Sequence, residues 1–252
     1  MKEFRVNNYV IRLMNHNDQE EVRKVQTLRY KYLLRDYNPA LPEEGMDIDG
    51  YDDLTDSILV IDETNNEIAG TYRVATMATI KDGRFLTEDE YDITELRNCQ
   101  DGFMELGRAV VCPNYRNPIV IQLLFLGIYH YAQEHNIRYT IGLCSFHGHT
   151  PSDYAHGFSL LKRDYLCKDF HIPAANNGFS LDFVKDDEID VTVAKTQIPN
   201  LLRMYLNLGH TVSAEGSIDY SFNSCDVLIV LDTRNINMRY LERLTRIGSI
   251  KK

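Results

Sequence analysis

The chain has 252 residues, with 27 Lys and Arg against 37 Asp and Glu, a net charge of −10 and 44% hydrophobic residues. That is the composition of a soluble globular protein long enough to bury its own core, so neither a disulfide framework nor a structural metal is required. A general nucleic-acid binder is disfavoured, because a polyanion needs a basic footprint and the sum has the wrong sign.

Along the chain, Tyr9 to Met14 alternates as a strand, and Asp18 to Leu34 follows with Val22, Val25, Leu28, Tyr32 and Leu33 at helical spacing behind an Asn17 or Asp18 cap. Asn38-Pro39 ends that helix, and Pro39, Pro42, Gly45 and Gly50 mark the next segment as a loop. Ser57–Ile61 and Glu67–Thr76 read as strands joined in a hairpin through residues 63–66. A polar connection leads to a third strong strand, Phe103–Val111, then a helix over Pro118–Glu134 and a strand over Arg138–Leu143. Further on, the pattern predicts a helix near Pro151–Leu161, a strand around Ser180–Val184 and a helix over Pro199–Leu208 stopped by Gly209. Strand Asp226–Leu231 and helix Asn237–Ile247 complete the chain. No repeat or Gly/Ser linker interrupts it, so a single α/β domain over 1–252 is expected, with a core of about 9–145 and the half 146–252 packed on it.

The five cysteines (Cys99, Cys112, Cys144, Cys167, Cys225) are odd in number and widely spaced, which reads as reduced thiols of a cytoplasmic protein. The first 21 residues carry no apolar run of signal-peptide length. The most apolar stretch, Ile119–Ile128, is broken by Gln122 and Gly127 and is too short to span a bilayer.

The negative charge is local. From Asp36 to Asp56 there are eight acids and no base, which leaves 27 bases against 29 acids over the rest. Charges also interrupt apolar elements: Arg29 in the first helix, Arg73 in Gly70-Thr-Tyr-Arg-Val, and Glu105 and Arg108 in Met104-Glu-Leu-Gly-Arg-Ala-Val-Val111. Buried charges are costly unless paired or working. The interior arginines can therefore meet the carboxylates of the acidic loop. Strict alternation puts Glu105, Gly107 and Ala109 on one face of the strand and Leu106, Arg108 and Val110 on the other.

Cys112-Pro-Asn-Tyr-Arg116-Asn-Pro is a strand-to-helix turn where free helix N–H groups can receive a phosphate. It occupies the position of the pyrophosphate loop in the GNAT N-acyltransferase superfamily. Counting from Arg116, however, that loop's two small residues fall on Ile119 and Ile121. Arg29, Asp49-Gly-Tyr-Asp52, Arg73 and Glu105-Leu-Gly-Arg108 resemble the charged set of the acyl-homoserine-lactone synthases. The longer pattern is similar to the ornithine-lipid-type N-acyltransferases, a group often labelled hemolysins. Its later marks are Gly142-Leu-Cys-Ser-Phe-His-Gly148, Pro199-Asn-Leu-Leu-Arg-Met-Tyr-Leu-Asn-Leu-Gly209, and Ile218-Asp219 followed by Asp226-Val-Leu-Ile-Val-Leu.

The resemblance implies a GNAT-like fold, with a central mixed sheet flanked by helices and a C-terminal extension. It also implies transfer of a fatty acyl group from acyl carrier protein to the amino group of a small amino acid, as in lyso-lipid synthesis of the ornithine or glycine type. The donor would be the phosphopantetheine thioester, with no permanently bound cofactor; acyl-CoA is the alternative donor. The missing loop glycines agree with a carrier protein, whose pantetheine ends in one phosphodiester. On this reading Glu105 is the general base and acts with Arg108. Arg29, Asp49, Asp52, Arg73 and Ser145 organise the acceptor side, and Ala109, Val110, Val111 and Arg116 hold the donor. The rivals are a CoA-dependent N-acetyltransferase of a small amine and a non-catalytic acyl-binding protein.

His147-Gly-His149 and His156 have the look of a metal cluster but lack the register of a zinc site, so no metal is expected. Cys112 beside the donor loop reads as a packed thiol in preference to an acyl relay. From Arg234 to Lys252 there are six bases (Arg234, Arg239, Arg243, Arg246, Lys251, Lys252) and one acid, Glu242, beside an apolar stripe of Ile236, Tyr240, Leu244 and Ile247. This stretch is an ordinary docked terminal helix, a patch for the acidic carrier protein extended by Lys162-Arg163, or a contact with the anionic inner membrane surface.

Overall fold

Asp18 starts the first long helix, α1 (Gln19–Arg29), by accepting hydrogen bonds from the amides of Glu20 and Glu21, which a helix start otherwise leaves free. The computed structural model describes residues 1–81, 83–116 and 118–247, with side chains described as far as residue 242. Two compact units share the chain: Met1–Gly83 with Met104–Ile137 and Met238–Lys252, and Arg84–Phe103 with Arg138–Asn237.

The first unit is built on strands β1 (Phe4–Val6), β2 (Tyr9–Leu13), β3 (Asp56–Asp62), β4 (Glu67–Thr76) and β5 (Gly102–Val111), each antiparallel to the next. Successive residues of β2 and β3 feed opposite faces. Val10, Leu59 and Ile61 pack with Val25 of α1, while Ile11 and Ile58 face helix α2 (Pro118–Glu134). Close approach of α2 requires glycine. A Cβ on Gly70 would lie 2.9 Å from Val120 Cγ1, and one on Gly127 would lie 2.7 Å from Ile58 Cγ2. The Tyr131 hydroxyl then ties α2 to β3 by donating to Asp56 Oδ2 at 2.7 Å.

In the second unit, β6 (Ile137–His147), β7 (Gly178–Ser180), β8 (Thr211–Asp219) and β9 (Ser224–Asp232) run in the order β6-β9-β8-β7, again antiparallel. Helices α3 (Ala155–Tyr165), α4 (Val191–Gln197) and α5 (Asn200–Leu208) complete it. Gly209 ends α5 in the left-handed region at φ 107°. Helix α6 (Met238–Ile247) belongs to the first unit and packs on α2, burying Leu241.

Three local expectations are corrected. The helix expected through Leu34 leaves α geometry after Arg29, and Tyr30–Leu34 form a π-helical turn. The strand expected at Ser180–Val184 is β7, displaced to Gly178–Ser180, and residues 181–184 are irregular. Strand β8 was not anticipated: its Thr-Val-Ser-Ala-Glu-Gly-Ser-Ile-Asp run has no apolar alternation, and its register against β9 shifts between Val212 and Gly216.

Candidate active site

The acidic loop is fastened to α1 before its charges come into play. The Asp47 amide donates to Gln26 O at 3.0 Å. The Tyr30 hydroxyl donates to Pro42 O at 2.9 Å, and Gly45 lies so close to the Tyr30 ring that a Cβ would sit 2.4 Å from it. Thus fixed, the loop presents Asp47, Asp49 and Asp52 to three arginines from three elements. Arg29, at the end of α1, pairs through Nε with Asp47 Oδ2 at 3.0 Å and through Nη2 with Asp52 Oδ1 at 2.7 Å. Arg73 on β4 reaches both oxygens of Asp49, at 2.8 and 2.7 Å, and Asp52 at 3.7 Å. Arg108 on β5 pairs with Asp47 at 2.9 Å and Asp49 at 3.3 Å. Gln26 donates to Asp52 Oδ2 at 2.9 Å, and the Arg73 guanidinium lies over the Tyr51 ring.

Three cations and three anions therefore close on themselves. Burial works to raise the pKa of Asp49, but the charge and hydrogen bonds of Arg73 and the charge of Arg108 outweigh it, holding this carboxyl below its ordinary value. The expected meeting of interior arginines with loop carboxylates is what forms. Asp47 was not singled out in the sequence, yet it bridges Arg29 and Arg108. Its only sequence signal was the spacing Asp47, Asp49, Asp52.

The alternation expected for β5 fails at Arg108. Glu105 pairs with Ala75 and Gly107 with Arg73, so Glu105, Gly107 and Arg73 share a sheet face. The next pairing is Thr71 with Val110, which leaves Arg108 and Ala109 together opposite Tyr72 in a β-bulge. Arg108 takes φ 53°, a left-handed conformation costing a non-glycine residue about 1–3 kcal/mol. The extra residue brings Arg108 to the loop, where it meets the same Asp49 as Arg73. Gly107, Arg108 and Ala109 are half-buried, whereas Glu105 and Val110 on either side are buried. A Cβ on Gly107 would meet nothing within 4 Å. This is an open stretch of strand whose backbone is offset from its ladder, beside an ordered ionic wall.

Beyond the bulge, Val111 pairs with Gly70, and Arg116 stands exposed just before α2. The Cys112 thiol donates to Ile68 O at 3.2 Å, and burial pushes its pKa up to about 11. At neutral pH it is a packed thiol and not a nucleophile. Ser145 lies on β6 in the second unit, facing Asp226. His149 hydrogen-bonds Asn223 at 3.1 Å, and His156 accepts from the Asp190 amide at 3.1 Å. Among the described residues, no three His, Cys, Asp or Glu side chains are placed to hold a metal. In the C-terminal stretch Arg239 is exposed, but Arg234 is engaged by Asp232 at 2.8 Å. Lys162 and Arg163 are likewise paired, with Asp182 and Asp164. The side chains of Arg243, Leu244, Arg246 and Ile247, and all of Lys251 and Lys252, lie outside the described residues.

Residues 28–126 match the family Acetyltransferase (GNAT) domain. Over 238 residues the chain is 31% identical to an L-ornithine N(alpha)-acyltransferase of Agrobacterium fabrum, covering 89% of this chain and 81% of that protein. A protein of the same name from Rhodobacter capsulatus is 30% identical over 248 residues, covering 94% and 95%. Another from Rhizobium meliloti is 32% identical over 235 residues, covering 88% and 79%. Among solved structures, a CoA-dependent acyl-homoserine lactone synthase, BjaI, with SAM and isopentyl-CoA, superposes with a TM-score of 0.54 at 12% identity, covering 96% of this chain and 90% of that one. The fold is GNAT-like, an α/β arrangement of sheet flanked by helices.

Proposed function

The chain belongs to the L-ornithine N(alpha)-acyltransferase family, and from that premise we propose that it moves a fatty acyl group from the phosphopantetheine thioester of acyl carrier protein to the α-amino group of a small amino acid, with ornithine the first acceptor to test. The protein is an N-acyltransferase. The observation that carries the site assignment is the bulge at Arg108, a strained conformation held by Asp47 and Asp49 on the face that also bears Glu105. Strain of this kind persists where the surroundings enforce it, and it gathers at working sites.

In the proposed reaction the acceptor arrives as an ammonium and gives a proton to Glu105, directly or through water. The freed amine attacks the thioester carbonyl carbon. As the tetrahedral adduct collapses, the carbon–sulfur bond breaks, the pantetheine sulfur leaves as the thiol after taking up a proton, and the nitrogen sheds its second proton to become an amide. Backbone N–H groups of Ala109, Val110 and Val111 serve the pantetheine amides and the oxyanion. Arg116 and the start of α2 serve the single phosphodiester. Arg29, Asp47, Asp49, Asp52, Arg73 and Arg108 order the loop that walls the acceptor. No permanently bound cofactor enters this scheme.

The acidic carrier protein has a basic counterpart in the 234–252 stretch, and the same stretch suits a peripheral contact with the anionic inner membrane. No helix among the described residues is long and apolar enough to cross a membrane. Glu105→Gln should lower single-turnover acyl transfer by about 10²- to 10⁴-fold while leaving carrier binding intact; undiminished turnover would remove Glu105 from the base role. Running the wild type on long-chain acyl carrier protein, long-chain acyl-CoA and acetyl-CoA ranks the donors, and a preference for acetyl-CoA overturns the carrier-dependent reading.

A further inference from the structure

Helix α1 and the acidic loop, both within the first unit, bound a cleft of about 280 Å³, at the small end of the range for ligand sites. Two charged side chains lining it are unspent, and they have opposite sign. Arg23 on α1 and Asp53 on the loop are both exposed, and neither side chain makes an ion pair or hydrogen bond among the described residues, with the other or with any neighbour. One residue on, by contrast, Lys24 is taken up by Glu20 at 2.7 Å. The remaining ionisable groups of the cleft are engaged: Asp52 by Arg29 at 2.7 Å and Gln26 at 2.9 Å, and His16 by Asp56 at 3.8 Å. The apolar part of the lining is Val22, half-buried against the core, with Met46 and Ile48 of the loop, 46% and 63% exposed. A cation for a carboxylate, an anion for an ammonium and an apolar surface for a side chain are together the complement of a free α-amino acid with an aliphatic side chain. A fatty acid would leave Asp53 without a partner. Ornithine would bring a second ammonium to a cleft whose other carboxylate, Asp52, is already engaged.

We propose that this cleft is a binding site for a free aliphatic α-amino acid of about the size of leucine, with Arg23 taking the carboxylate, Asp53 the ammonium, and Val22, Met46 and Ile48 the side chain. The site is additional to the one that presents the acceptor to Glu105. Its occupant bridges a helix residue and a loop residue, and so fastens the loop to α1 beside the Gln26–Asp52 and Gln26–Asp47 hydrogen bonds that already hold it there. The amino acid thereby acts as a clamp on the segment that supplies Asp47, Asp49 and Asp52 to the arginines.

The test is titration calorimetry on the full chain at pH 7 with four probes: leucine, leucinamide, 4-methylpentanoate and ornithine. Leucine should bind with a stoichiometry of one, and leucinamide, which lacks the carboxylate, and 4-methylpentanoate, which lacks the ammonium, should each bind about tenfold or more weaker, the scale of losing a charged hydrogen-bond partner. Arg23→Gln and Asp53→Asn should weaken leucine by a similar factor while melting as the wild type does, since both side chains are exposed and unpaired. In hydrogen exchange, saturating leucine should slow the Asp47 amide, which donates to Gln26 O, in the wild type and not in Arg23→Gln. Absence of leucine binding at millimolar concentration overturns the proposal, as does 4-methylpentanoate binding as tightly as leucine, which would make the cleft a site for a simple carboxylate. Ornithine that competes with leucine for the cleft would make it the acceptor site and remove the second site. Leucine binding with unchanged exchange at Asp47 would remove the clamp. None of these measurements depends on turnover, so they stand whether or not ornithine is the acceptor, and the probe series on the wild type decides the ligand even without the variants.

Discussion

Asp47 is held by two guanidiniums at once, Arg29 Nε at 3.0 Å and Arg108 Nε at 2.9 Å, and is 5% exposed. Six residues on, Asp53 is exposed. In a row of eight acids the two are chemically identical, and only the path of the loop separates them. Removing one partner of a buried pair leaves the other charge uncompensated, so Asp47→Asn should destabilise the protein by about 3–5 kcal/mol, whereas Asp53→Asn should stay within about 0.5 kcal/mol of the wild type. Urea denaturation of the two variants measures this directly, and equal midpoints would show that the network is not a buried unit. The same contrast explains what could be read beforehand. Arg29, Arg73, Glu105 and Arg108 are legible because a charge inside an apolar pattern is costly and demands a reason. Asp47 is hidden because a charge in a polar loop demands none.

At the level of elements, periodicity delivers whatever has a single period. Strand β4 over Glu67–Thr76 and helix α2 over Pro118–Glu134 form where their patterns place them. Strand β8 carries a register shift and polar residues on both faces, so no single period describes it. The β5 bulge is hidden for the same reason, since one inserted residue resets which side chains share a face while the sequence continues to alternate. The bulge also distinguishes two glycines that are alike in sequence. A methyl at Gly107 enters open space, whereas at Gly70 it comes within 2.9 Å of Val110 O and Val120 Cγ1, both fixed by packing. Gly70→Ala should therefore cost about 1–3 kcal/mol through overpacking. Gly107→Ala should fold normally and raise KM for the acyl donor, because its methyl projects from the strand two residues before the Ala109–Val111 stretch proposed for the pantetheine. Thermal melts paired with donor titrations separate these outcomes. An unchanged donor KM in Gly107→Ala would place the pantetheine elsewhere.

Across the whole molecule, a net charge of −10 opposes docking of another acidic protein, yet the average conceals a division. Three of the eight loop acids are neutralised by Arg29, Arg73 and Arg108, so part of the apparent excess is internal to the fold. The bases of the C-terminal stretch are not all spent in this way. Arg234 is engaged by Asp232, but Arg239 is exposed on α6, a helix anchored to α2 through buried Leu241. A cationic helix fixed to the body is suited to steer an acidic carrier, and exposed charges of this kind act mainly on encounter and are screened within about 10 Å at 0.1 M salt. Reversing Arg239, Arg243 and Arg246 to Glu together should raise KM for acyl carrier protein by about tenfold or more, comparable with other steered encounters, and leave KM for the amino acid unchanged. Raising salt from about 50 to 300 mM should raise the wild-type carrier KM in the same direction and affect the triple variant much less, because screening shortens the reach of charge it no longer presents. An acyl-pantetheine fragment, with no protein surface to dock, should be used equally by both enzymes. A fragment that lost activity in the triple variant would show that the arginines act on the acyl site itself, and a carrier KM indifferent to both charge and salt would remove the docking surface.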